Sequence, residues 1–165
     1  MAKSAIERTV QLSLLDRLLD DDPKSSAEMP VTRDQSIRLL RNAVARDLEW
    51  LLNTRRTPEP APESLLEVTA SVYHYGMPDL TSLSKDSIED RSRLLRMIEE
   101  TIATFEPRLA EVHVVVSQNV EQAPREFHFR IEGLLRMDPS PERVAFDTRL
   151  EVPTGRFALD TGDHA

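Results

Sequence analysis

The chain has 165 residues, 39% hydrophobic and 30% charged, with a formal net charge of −8 and no cysteine. This is the balance of one soluble globular domain; it excludes disulfides, thiolate nucleophiles and cysteine-ligated zinc, and so acidic a chain is a poor holder of a phosphate backbone, so no nucleic-acid partner is expected. The four glycines, Gly76, Gly133, Gly155 and Gly162, make neither a GxGxxG nor a P-loop spacing, and no apolar run spans a bilayer, so neither a nucleotide cofactor nor direct membrane insertion is expected.

The first eight residues lack the apolar middle of a secretory signal, and a cytoplasmic location is expected. Ile6, Val10, Leu14 and Leu18 then recur at four-residue spacing, which predicts an amphipathic helix from Ser4 to about Leu19. It runs into Asp20-Asp21-Asp22-Pro23, three carboxylates that oppose the helix macrodipole. One reading is a helix folded back on the core; the other is an arm that completes itself against a partner. Residues 1–30 are taken as this arm and its linker, 31–160 as the main domain, and 161–165 as a tail.

Thr32-Arg33-Asp34-Gln35 has the capping-box pattern and opens a long helix. Ile37, Leu40, Val44, Leu48 and Leu51 form its core-facing stripe, with Trp50 and Leu52 widening it, while Arg38, Arg41, Arg46 and Glu49 fall on the polar side. Pro58, Pro60 and Pro62 end it in a stiff linker. Leu65, Val68, Val72 and Tyr75 predict a short helical turn or two, stopped by Gly76 and Pro78. A second long helix is predicted from about Lys85 to Thr104, capped by Ser84 or Ser87, with Ile88, Leu95, Ile98, Ile102 and Phe105 on one face.

After Pro107 the period changes from 3.6 to 2. Val112, Val114 and Val116, then Phe127, Phe129 and Ile131, then Val144, Phe146, Thr148, Leu150 and Val152 read as three half-buried strands, with Phe157 and Leu159 adding a short fourth. Helices first and strands last predict an α+β fold, with N-terminal helices packed on one face of a C-terminal antiparallel sheet of three to four strands. An edge of that sheet is either covered by residues 154–165 or left to add a partner's strand.

Glu106-Pro107-Arg108 is the most pointed short feature. Pro107 fixes the backbone, so Glu106 and Arg108 leave the corner in set directions. The plain reading is an exposed ion pair contributing about 0–1 kcal/mol; the functional one is a polar contact offered to another protein. A general-acid role for Glu106 needs a second carboxylate, which the sequence does not mark. His113 and His128 could approach across paired strands, yet two ligands fall short of a zinc site, so no metal is expected.

Three blocks carry a resemblance. Arg46-Asp47-Leu48-Glu49-Trp50-Leu51-Leu52-Asn53-Thr54-Arg55-Arg56, Tyr75-Gly76-Met77-Pro78-Asp79-Leu80 and Phe105-Glu106-Pro107-Arg108-Leu109, in this order, closely resemble the TssE family of small baseplate subunits in type VI secretion systems. That family is similar to the baseplate wedge proteins of contractile phage tails once labelled tail lysozymes. The likeness covers roughly Val31 to Leu159, and Leu14-Leu15-Asp16-Arg17-Leu18 looks like the family's N-terminal arm. His74 and Met77 depart from the family pattern.

The resemblance implies a structural protein without catalysis, despite the lysozyme label. It implies a sheet with which the first ring of contractile sheath subunits, of TssB and TssC type, pairs strands. It also implies that Glu106, Pro107 and Arg108 touch the helical bundle of wedge partners of TssF and TssG type. Leu14, Leu18 and Tyr75 are the further partner-binding candidates, and the baseplate is expected to dock at the inner membrane. The alternatives are a muramidase-like peptidoglycan hydrolase and an anti-adaptor resembling the IraD family, which sequesters a proteolysis adaptor.

Overall fold

The computed structural model describes residues 12–18, 32–59, 61–62, 64–81, 87–117 and 126–160. Its elements run α1 (Leu14–Leu18), α2 (Arg33–Asn53), α3 (Leu66–Thr69), α4 (Ile88–Phe105), β1 (Leu109–Val116), β2 (Glu126–Leu135), β3 (Glu142–Glu151) and β4 (Arg156–Asp160). The four strands form one antiparallel sheet in chain order, β1-β2-β3-β4. This is the expected α+β arrangement, with Phe157 and Leu159 in the fourth strand.

The helix starts follow from local chemistry. The Thr32 hydroxyl accepts from the Gln35 N–H and the Gln35 side chain accepts from the Thr32 N–H, so the predicted capping box closes on two otherwise unpaired donors. At α4 the cap is Ser87, whose hydroxyl accepts from the Asp90 N–H; Ser84 and Lys85 lie outside the described residues.

The core sits between α2, α4 and one sheet face. Leu40, Val44, Leu48, Leu51 and Leu52 from α2 and Leu94, Ile98 and Ile102 from α4 meet Phe129, Ile131, Leu135, Phe146 and Phe157 from the strands. α2 packs against β4 and α4 against β1, so each helix runs beside one margin of the sheet. From there each sends a side chain to the outermost strand. The Asn53 amide bonds both the N–H and the C=O of Phe157, each at 2.9 Å, and Glu99 Oε1 accepts from the Val114 N–H at 2.7 Å. β3 is interior, because β4 covers it.

Several residues sit differently from the expectation. Trp50 is 54% exposed and Ile88 67% exposed, because the sheet contacts only a narrow stripe of each helix. Leu94 takes the buried place expected for Leu95, which packs at the core margin. Leu65 and Val72 point to solvent beside a helix of four residues. The predicted first helix is seen at Leu14–Leu18, with Ile6 and Val10 outside the described residues.

Candidate partner-binding corner

The corner begins where α4 stops. Glu106 caps the helix: its N–H donates to the Ile102 C=O at 2.8 Å, and its own C=O accepts from the Leu109 N–H at 3.1 Å. This tight turn lifts Pro107 into solvent and folds Arg108 back on Glu106. Arg108 Nε donates to Glu106 Oε1 at 2.6 Å, its terminal nitrogen donates to Oε2, and its backbone N–H also reaches Oε1 at 3.2 Å. The Glu106 side chain is only 6% exposed. Glu106 is therefore buried and Arg108 half-buried, a correction to the exposed ion pair that the sequence suggested.

The same Arg108 nitrogen donates to Asp47 Oδ2 at 2.6 Å. Asp47 Oδ1 accepts from Arg46 Nε at 3.0 Å and from its terminal nitrogen at 2.8 Å. That nitrogen also meets Asp16 Oδ1 at 2.8 Å, while the Ser13 hydroxyl donates to Asp16 Oδ2 at 2.5 Å. A continuous charge-assisted chain, Glu106–Arg108–Asp47–Arg46–Asp16, thus joins the α4 corner to α2 and to the arm. The Arg46 guanidinium also lies over the Trp50 ring, 5.1 Å from its centroid, so the exposed indole is partly roofed by a cation.

The charges respond as this wiring requires. The Glu106 hydrogen bond, opposed by burial and joined by Asp47, pushes the Arg108 guanidinium well above its ordinary range. Hydrogen bonds to Asp47 and then Asp16 do the same for Arg46. Burial opposes ionisation of Asp16, yet the Ser13 hydroxyl and the Arg46 guanidinium outweigh it and hold the carboxyl below the ordinary aspartate value. Burial first, then the Asp47 and Glu106 charges, raise the Tyr75 phenol.

Tyr75 reaches this corner through a strapped loop. Met77 N–H donates to the Thr54 C=O at 2.8 Å, and Arg56 N–H donates to the Met77 C=O at 3.0 Å. Gly76 makes that contact possible: its φ is +105°, and a Cβ there would lie 2.4 Å from the Thr54 carbonyl oxygen. The Tyr75 ring then stands edge-on to Phe105, centroids 5.3 Å apart. Met77 is fully buried beneath the loop, and His74 Nε2 accepts from the Ala61 N–H at 3.3 Å, so both departures from the family pattern are accommodated inside the fold.

Of the six candidates, Glu106, Arg108 and Tyr75 gather around Asp47, and Pro107 lies exposed above them. Leu14 and Leu18 stand 75% and 82% exposed on the arm whose Asp16 is the inward-facing residue. Asp47, Arg46 and Asp16 escaped notice as site residues. Their signal is an acid–base pair on the flank of an apolar stripe and a lone aspartate between leucines.

The acids of the corner are already paired. Both Glu106 oxygens are taken up by Arg108, and the neighbouring carboxylate, Asp47, is gripped by two arginines, so neither acid is aimed at an open cleft. His113 and His128 do not meet: the register sets His113 opposite Glu132 and His128 opposite Arg149. Among the described residues no group of three or more His, Asp or Glu could hold a metal ion, and no helix is long and apolar enough to cross a membrane.

The model of one protein family, described as baseplate wedge protein gp25, matches residues 38–140, more than half of the chain. That span includes most of α2, the Tyr75 loop, α4, the corner and the first two strands. No curated protein matches the chain.

Proposed function

The chain belongs to the baseplate wedge protein gp25 family, which includes TssE of type VI secretion systems, and from that premise we propose that it is a TssE-type structural subunit of a cytoplasmic baseplate docked at the inner membrane. It is held there by wedge subunits of TssF and TssG type, and its sheet templates attachment of the contractile sheath by strand pairing. It performs no chemistry.

The observation that carries this reading is the convergence of the arm, the Glu106–Arg108 corner and the Tyr75 loop on one charge-linked surface. The chain of ion pairs ties the backbone of three separate elements together while Leu14, Leu18 and Pro107 stay exposed. Preorganisation of this kind lowers the entropy lost on binding.

The exposed leucines offer the cleanest test, because they stabilise nothing described in the free chain. Co-expression with TssF- and TssG-type subunits is expected to yield a complex that Leu14→Ser with Leu18→Ser weakens at least tenfold while thermal stability stays unchanged. Normal assembly by that double variant would remove the role given to the arm. Peptidoglycan degradation abolished by Glu106→Gln would replace this reading with hydrolysis, and recovery of a proteolysis adaptor in place of wedge subunits would replace it with anti-adaptor action.

A further inference from the structure

We propose that the sheet accepts an added strand along β1 and not along β4, with Glu99 acting as the placeholder that the incoming strand displaces. This rests on the reading above that the subunit attaches its neighbours by strand pairing.

The register decides which main-chain groups face outward. The Ser117 N–H donates to the His128 C=O at 3.1 Å, so by the two-residue alternation Val115 also turns toward β2, while Val114 and Val116 turn away. The bond from Val114 to Glu99 agrees with this parity. On the opposite margin Phe157 and Leu159 face outward, as the bonds from Phe157 to Asn53 require.

The two margins are closed to different degrees. Asn53 supplies both an acceptor and a donor to Phe157, as a residue of a fifth strand would. Its amide is also tied to the Glu49 C=O at 2.9 Å in the last turn of α2. Among the described residues that leaves Leu159 as the one outward residue of β4 beyond the plug, too little for a ladder. Glu99 offers only an acceptor. Among the described residues it leaves the Val114 C=O and both groups of Val116 without a bonded partner, and its carboxylate sits on a long side chain with rotatable bonds between it and the α4 backbone.

The occupant follows from this pattern. A donor and an acceptor repeating every second residue are matched by an extended main chain, which neither a helix nor a side chain supplies. Glu111 is exposed beside the register shift between Ala110 and His113, which ends the regular ladder and confines pairing to the Val114–Val116 end. Glu99 and Glu111 make this margin acidic, in a chain of net charge −8. The partner is therefore an extended segment of a neighbouring subunit with no acid opposite Val114 and a lysine or arginine placed to receive the displaced Glu99.

Residue-resolved amide exchange on the full chain, alone and with purified sheath subunits of TssB and TssC type, tests this. The Val116 amide is expected to gain at least tenfold protection and the Leu159 amide to change little. Val116→Pro removes an outward donor without taking a bond from β2 and is expected to weaken binding at least tenfold. Leu159→Pro, equally outward, should leave it within about twofold. Protection at Leu159, or loss of binding with Leu159→Pro alone, overturns the edge assignment and keeps strand pairing. Binding with neither edge protected overturns strand pairing as well, and absence of any binding overturns the function proposed above together with this inference. Should Val116→Pro fail to fold, exchange on the unaltered chain decides alone.

Discussion

Arg108 and Arg130 each clasp a carboxylate through two guanidinium nitrogens, one at the corner after α4 and one on the open face of the sheet. Arg130 reaches Asp147 at 2.7 and 3.2 Å, a geometry much like that of Arg108 on Glu106. The surroundings differ. The Arg130 and Asp147 side chains are 44% and 39% exposed, against 26% and 6% for Arg108 and Glu106. Water screens the first pair, so its formation contributes about 0–1 kcal/mol. Glu106 has already left water, and loss of Arg108 strands its charge. Equal geometry therefore carries unequal weight, and burial rather than distance separates an ornament of the surface from a fixture of the fold.

The contrast is sharpest at Arg108. Arg108→Met should lower unfolding free energy by about 3–5 kcal/mol, read from denaturant titration, because Glu106 stays buried without a partner. Adding Glu106→Leu should recover much of that loss, since an apolar pair of similar shape avoids the stranded charge. A cost for Arg108→Met no larger than for Arg130→Ala would erase the distinction between the two sites. Next in size is Gly76→Ala, which forces a side chain into a positive-φ position against the Thr54 carbonyl. A loss of about 1–3 kcal/mol is expected, with altered Tyr75 fluorescence as the loop shifts.

The far end of the charge chain gives a smaller effect. Asp16→Asn should weaken the hold on the arm by about 1–2 kcal/mol and speed tryptic cleavage after Arg17, with little change in the global melt. Acid reaches the same end without mutation. The Asp16 carboxyl titrates below its ordinary value of 3.8 in the folded chain, so its contribution is fully present above that pH and disappears as pH falls through the folded value. Anisotropy of a dye on Leu14→Cys that is insensitive to pH between about 5 and 2.5 would separate the arm from this carboxylate. Arg130→Ala is the smallest of the set, expected within about 0.5 kcal/mol of the parent.

Much of the frame was legible because it depends on neighbours in sequence. The Thr32–Gln35 capping box and the change of period after Pro107 are local signals that appear where the pattern puts them, and the α4 cap is Ser87, one of the two serines the pattern offers. Trp50 and Ile88 were misplaced because periodicity gives the direction of a helix face but not its width; that is set by how much sheet lies beneath it. Glu106-Pro107-Arg108 is conspicuous as a motif, yet the burial of Glu106 is not. The partner that completes it, Asp47, lies 61 residues from Arg108, and only the packing of α2 beside the end of α4 brings them together. Asp16 reaches Arg46 in the same way, through tertiary contact that no spacing rule encodes.

The Asn53 amide at the outermost strand has a mechanical consequence. Because it grips Phe157 by both main-chain groups, a pull on β4 is shared between the ladder to β3 and the end of a helix 21 residues long. Peeling that strand away means shearing the helix terminus along with it, so tension applied near the carboxyl end travels into the interior instead of unzipping the margin one rung at a time.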